Sequence, residues 1–198
     1  WLRESAEKNL KNSEYLAAVP FGSSFTDPGF NSDKLPDFQA IRLLMDGYLD
    51  AYIADLSIVH DVEGCPWDPA VSAPEVVDQV ATQLNVSHDA ARYYLQLLGL
   101  MYPTDADVRR WNSWNAATLR AAVAELADRG LIVEGHRARA GRSWFLPGAW
   151  LEGVKKDRPV EEWKARHYLL WQDMKVRPVL PGSPLLMPIA QLYQQVWQ

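Results

Sequence analysis

Three arginines fall close together in the run Arg137-Ala138-Arg139-Ala140-Gly141-Arg142. In an extended segment a period of two puts Arg137 and Arg139 on one face, with Arg142 closing the turn. Guanidinium groups set out this way neutralise phosphates. Arg109 and Arg110, upstream, are placed to reach phosphates too. A second set comprises Asn115, Thr118 and Arg120. Amide and guanidinium groups make bidentate hydrogen bonds to base edges, and a hydroxyl serves either base class.

Enzyme chemistry has no comparable signature. Gly22-Ser23-Ser24 lacks the spacing and the lysine of a phosphate-cradling loop, and G-x-S-x-G, H-E-x-x-H and C-x-x-C do not occur. His60-Asp61 and His88-Asp89 are sequence neighbours, which point apart on a helix. Asp46 and Asp50, four apart, read as a solvated helix face. His60 and Cys65 lack the two further ligands a metal needs. The expectation is a non-enzymatic chain with no catalytic residue, no metal and no cofactor.

Composition bounds the rest. The 198 residues are 48% hydrophobic and 23% charged, the balance of a folded chain rather than a disordered one. Its apolar stretches fall short of the ~20 residues of a membrane span, so no membrane partner is expected. The single cysteine excludes a disulfide framework, and no secretory signal opens the chain. A reducing, cytoplasmic setting follows as the expectation. The first residue is Trp1 rather than Met, which fits a processed chain or a section of a longer one.

The net charge of -5 hides a division. Residues 1–103 hold six Lys/Arg against fifteen Asp/Glu, a net -9. Residues 104–158 hold ten against seven, a net +3, and residues 159–198 hold four against three, a net +1. An acidic N-terminal half and a mildly basic middle suggest two surfaces with different partners.

The elements that must position the arginines follow from periodicity and capping. Residues 1–16 read as a polar helix, and 17–37 as a loop pinned by Phe21, Phe25 and Phe30. Residues 37–59 read as a long amphipathic helix capped by Asp37, and 60–73 as a linker. Pro74 opens a helix over 74–84, where Val76, Val77, Val80, Ala81 and Leu84 form the apolar face. Asn85 takes a left-handed turn, Val86 plugs the angle, and Ser87 caps a second helix that packs Ala91, Tyr94, Leu95 and Leu98. His88, Asp89, Arg92, Tyr93 and Gln96 are the outward set on that helix. Thr104 caps a short helix over 105–111, with Asp107 in a capping-box role. Asn112-Ser113-Trp114 turns, Asn115 caps a helix over 116–129, and Gly130 stops it. Leu119, Val123 and Leu126 face inward. Leu131-Ile132-Val133 and Ser143-Trp144-Phe145-Leu146 are the strands of a hairpin around the arginine turn.

Residues 74–100 look like a helix-turn-helix. Residues 87–150, most specifically "ELADRGLIVE" and the basic hairpin after it, resemble the winged helix-turn-helix superfamily of DNA-binding proteins. The resemblance implies a mainly α fold: a helical bundle with a central winged helix-turn-helix carrying a small β-hairpin wing. It also implies one helix for the DNA major groove and a wing for the backbone.

The domain reading is an acidic helical region over 1–73, a helix-turn-helix and winged-helix domain over 74–150, and a Trp/Pro-rich arm over 151–198. In the arm, 160–173 reads as helix, 176–188 as extended and 189–197 as a final helix. The arm either covers the domain or docks onto another copy or a partner. The functional expectation is a transcriptional regulator bound to double-stranded DNA through Arg109, Arg110, Asn115, Thr118, Arg120, Arg137, Arg139 and Arg142. The alternative is a non-catalytic protein-interaction module, partnered through the acidic half and the arm.

Overall fold

The computed structural model describes residues 64–151, 158–168, 170–172, 176–178, 185 and 187–198. The expected helices over 1–16 and 37–59, the loop with its three phenylalanines, Asp37, Asp46, Asp50 and His60 lie outside the described residues. The described part is mainly α. It holds six α-helices and three short antiparallel strand pairs.

Helix α1 (Pro69–Ser72) is one turn, capped by Asp68, whose carboxylate accepts from Ala70 N at 2.9 Å. This turn sits inside the segment expected to be a linker. Helix α2 (Pro74–Leu84) starts on Pro74 and buries Val76, Val77, Val80 and Ala81. It stops where Asn85 turns left-handed at φ 52°, and Val86 N donates back to Ala81 O at 3.0 Å. Helix α3 (His88–Gly99) is capped by Ser87 and buries Ala90, Ala91, Tyr93, Leu95, Gln96, Leu97 and Gly99. Buried side chains on every side make it a central helix rather than a surface one.

Helix α4 (Asp105–Trp111) is capped by Thr104, whose hydroxyl accepts from Asp107 N at 3.1 Å. That hydroxyl also donates to Asp107 Oδ2 at 2.7 Å, so Asp107 supports the cap through the Thr104 side chain rather than its backbone. Helix α5 (Ala116–Asp128) is capped by Asn115 and buries Leu119, Ala122 and Leu126. Gly130 follows at φ 68°. The hairpin pairs β1 (Val133–Glu134) with β2 (Trp144–Phe145). Strands β3 (Trp150–Leu151) and β4 (Val160–Glu161) pair next, then β5 (Leu170–Gln172) and β6 (Val176–Pro178). The final helix, α6 (Ile189–Trp197), places Leu192 and Tyr193 in the core. Helices α2, α5 and α6 all pack around α3.

Three expectations are corrected here. Residues 160–173 do not form an α-helix. Residues 160–161 are taken by the ladder to β3 and 170–172 by the ladder to β6, leaving only a short 3₁₀ turn over Glu162–Arg166. Tyr93 and Gln96 are not outward: both are fully buried, because α3 is enclosed by α2, α5 and α6. The first hairpin strand starts at Val133 rather than Leu131, since Ile132 turns into the core.

The 3₁₀ segment has a specific task. A helix leaves its last carbonyls without intrahelical partners. At the end of α3 those of Leu98, Gly99 and Leu100 accept from Trp163 Nε1 at 3.1 Å, Tyr168 Oη at 2.9 Å and Lys164 Nζ at 2.7 Å. Thus part of the C-terminal arm covers the central helix, and α6 packs on it as well.

Candidate nucleic-acid interface

The turn before α5 is held from beneath. Asn112 and Gln96 exchange amide hydrogen bonds of 2.8 and 3.0 Å, both side chains buried. Arg92 grips Asp68 through two hydrogen bonds, Nε at 2.9 Å and Nη2 at 2.6 Å, and lies 4.8 Å from the Trp114 ring centre. A two-pronged guanidinium–carboxylate contact fixes orientation as well as distance. Residues 16 and 24 positions apart are therefore locked together under the start of α5. The sequence reading puts Arg92 on an outward face and gives Asp68 no role. Asp68 immediately before Pro69 is a capping signal, but nothing local pairs it with Arg92.

Each residue expected to touch DNA has a definite place. Arg109 is exposed on α4, its Nε donating weakly to Asp105 O at 3.4 Å. Arg110 is 72% exposed and pairs with Asp107 at 2.8 Å. Arg120 is exposed on α5, and no described residue pairs with it. Thr118 is half-buried, its hydroxyl donating to Asn115 Oδ1 at 3.3 Å.

Asn115 is exposed, but its Oδ1 already accepts from Ala117 N at 2.8 Å and Thr118 N at 2.9 Å. A bidentate contact to a base edge needs that oxygen, so Asn115 keeps only its amide donors for such a contact.

The hairpin arginines divide in a way period two does not anticipate. Arg139 adopts φ 62° at the tip, so it and Arg137 do not share a face. Arg137 folds back over Trp150, 3.7 Å from the ring centre. Arg139 is exposed with no partner among the described residues.

Arg142 does not close the turn toward solvent. Its side chain is 4% exposed, bonded to Glu161 Oε1 at 2.8 Å and to Pro103 O at 2.7 Å. Burial lowers its pKa from the usual guanidinium value, and the Glu161 carboxylate opposes that. Burial likewise raises the Asp105 carboxyl, with Arg142 and Arg109 opposing. The loop is tied down further by Asp105 N, which donates to Gly141 O at 3.0 Å. Only glycine fits there. Its φ is 66°, and an added Cβ would stand 2.7 Å from Thr104 Cγ2.

Among the residues whose side chains are described, the exposed arginines are Arg109, Arg110, Arg120, Arg129 and Arg139. They lie on α4, along or just past α5, and at the hairpin tip. The rest of the α5 surface presents Ala116, Ala117, Ala121, Ala124 and Asp128. No group of three or more His, Cys, Asp or Glu among the described residues is placed to hold a metal ion. No described helix is long and apolar enough to cross a membrane. No protein-family model, no curated protein and no solved structure matches this chain.

Proposed function

We propose that this chain is a non-catalytic module that binds double-stranded DNA in transcription regulation, in the manner of a winged helix-turn-helix. In this reading α3 is the first helix, α4 and α5 are the helix-turn-helix, and the β1–β2 hairpin is the wing. The observation that carries it is the sorting of the arginines. Arg92 and Arg142 are held in buried or half-buried pairs, while Arg109, Arg120 and Arg139 stay exposed on α4, α5 and the hairpin tip. A surface of that kind contacts phosphates. The alanines of α5 allow close approach to a groove. Arg120 is the base-edge candidate, because its planar fork matches the acceptors of guanine.

The test is fluorescence anisotropy of a labelled mixed-sequence duplex at two salt concentrations. Binding should weaken steeply with salt. An Arg120→Ala/Arg139→Ala double variant should lower affinity and reduce the slope by about 0.9 for each phosphate no longer neutralised. No binding at low salt overturns this reading. It would favour instead a docking role for α5 and β1, where Val133 is 47% exposed on a strand edge.

A further inference from the structure

Beside the hairpin, with Ala138 and Ala140 on either side of the Arg139 tip in its wall, lies a narrow cleft against the β3–β4 pair. Its empty space, open mouth included, is about 290 Å³. Arg137, Arg142 and Arg158 line it, with Glu161 as the carboxylate and Tyr102 and Trp150 as aromatic walls. Each guanidinium is held in place. Arg137 stacks on Trp150 at 3.7 Å, Arg158 lies 5.4 Å from the Tyr102 ring centre, and Arg142 lies 5.0 Å from that of Phe145.

Three cations face one carboxylate there, and that carboxylate is already engaged. Glu161 accepts from Arg142 and stands 3.0 Å from buried Lys164. Asp105 is the other acid acting on Arg142. Among the described residues the cleft thus carries more guanidinium than carboxylate charge. Behind this wall Arg142 Nε is buried with no hydrogen-bond partner among the described residues. A buried donor left unpaired costs free energy that an incoming acceptor would recover.

We infer that this cleft is an oxyanion site. One oxygen of a phosphate-type group enters the narrow floor, and Arg137 and Arg158, both half-buried, hold the remaining oxygens at the mouth. Pre-aimed planar guanidinium groups suit that geometry, and the small volume excludes a bulkier organic ligand. The group comes either from a free phosphorylated ligand or from a nucleic-acid backbone. The inference does not depend on the DNA-binding reading, because free phosphate tests it alone.

The experiment titrates inorganic phosphate into the whole protein, against sodium chloride at matched ionic strength. It follows Tm and tryptophan fluorescence, for which Trp150 is a built-in probe. Phosphate should raise Tm saturably where chloride does not. Arg158→Gln should fold as the parent does and weaken phosphate binding roughly tenfold, the cost of one charged hydrogen-bonding group. Arg137→Lys, which keeps the charge but removes the fork, should weaken it as well. Equal effects of phosphate and chloride, or an unchanged Arg158→Gln, overturn the inference. A duplex competition then separates the sources. Displacement of duplex by phosphate, with weaker duplex binding by Arg158→Gln, assigns the site to a backbone phosphate. Duplex binding undisturbed by bound phosphate assigns it to a free anion.

Discussion

Arg142 and Glu161, 19 residues apart in sequence, meet at 2.8 Å with 4% and 1% of their side chains exposed. The pair joins the end of the hairpin loop to strand β4. Lys164 adds a second cation 3.0 Å from Glu161 Oε2. Removing one partner of a buried pair leaves an uncompensated charge and costs about 3–5 kcal/mol. Glu161→Ala strands two cations and should lie at the upper end. Urea denaturation with an unchanged m-value measures it. A destabilisation under about 1 kcal/mol, the range of solvated pairs, would mean that water reaches this one.

Glu125 on α5 accepts from Ser87 N at 2.9 Å and Ser87 Oγ at 2.5 Å, which ties α5 to the cap of α3. The Ser87 hydroxyl bond is the main reason the Glu125 pKa is lowered from its ordinary 4.5. A depressed carboxyl pKa contributes stability that is present above the unfolded value of 4.5 and disappears as pH falls through the folded value. Because water still reaches Glu125, the contribution is below about 1 kcal/mol. Glu125→Gln should lower Tm near neutrality and converge with the parent in acid. Parallel Tm–pH curves would contradict this.

Asn85 holds a left-handed backbone at φ 52° and ψ 51°, its side chain exposed. Arg129 Nη2 donates to its carbonyl, which holds the turn against the end of α5. Asn85→Gly keeps that geometry and should leave stability near the parent value. Asn85→Val should cost roughly 1–2 kcal/mol, since a β-branched residue is strained in this region. Equal denaturation midpoints for the two variants would refute the assignment.

The alkaline limb should have two opposed parts. Burial holds the Lys164 pKa down to about 8, against 10.5 for a free lysine. Between those values the unfolded chain binds the extra proton, so this group makes stability rise with pH. Burial also raises the Tyr93, Tyr168 and Tyr193 hydroxyls above their ordinary 10.0. Above about pH 10 the unfolded chain releases those protons first, and stability falls. Equilibrium unfolding across this range should therefore show a maximum before the decline. Lys164→Met should abolish the rise and keep the fall.

The local punctuation is legible in the sequence because it is written within a few residues. Ser87, Thr104 and Asn115 each cap the helix that follows, and Asn85 and Gly130 take the left-handed positions expected of them. Leu119 and Leu126 are buried and Val123, half-buried, packs against the core as their spacing requires, with Ala122 buried beside them. The final helix falls at Ile189–Trp197, as its short apolar pattern indicates.

The candidate site is legible in composition but not in placement. Exposed Arg109, Arg110, Arg120 and Arg139 stand where a basic middle segment puts them. Arg137 and Arg142 do not, because Trp150 and Glu161 claim them from beyond the hairpin. Asn115 belongs by side-chain chemistry among base readers, yet its oxygen serves the cap. An arginine's fate depends on which carboxylate, ring or carbonyl the chain brings to it.

Backbone propensity and short-range hydrogen bonds account for the helices of the described region, their caps and turns, and the hairpin, so these can be read from residue order. Residue order does not reveal that α3 is central, with its last carbonyls held by Trp163, Lys164 and Tyr168. Nor does it reveal which arginines are buried, or that three of them share one cleft. Those outcomes arise when the chain folds and brings together residues tens of positions apart, where burial and paired charge outweigh local preference.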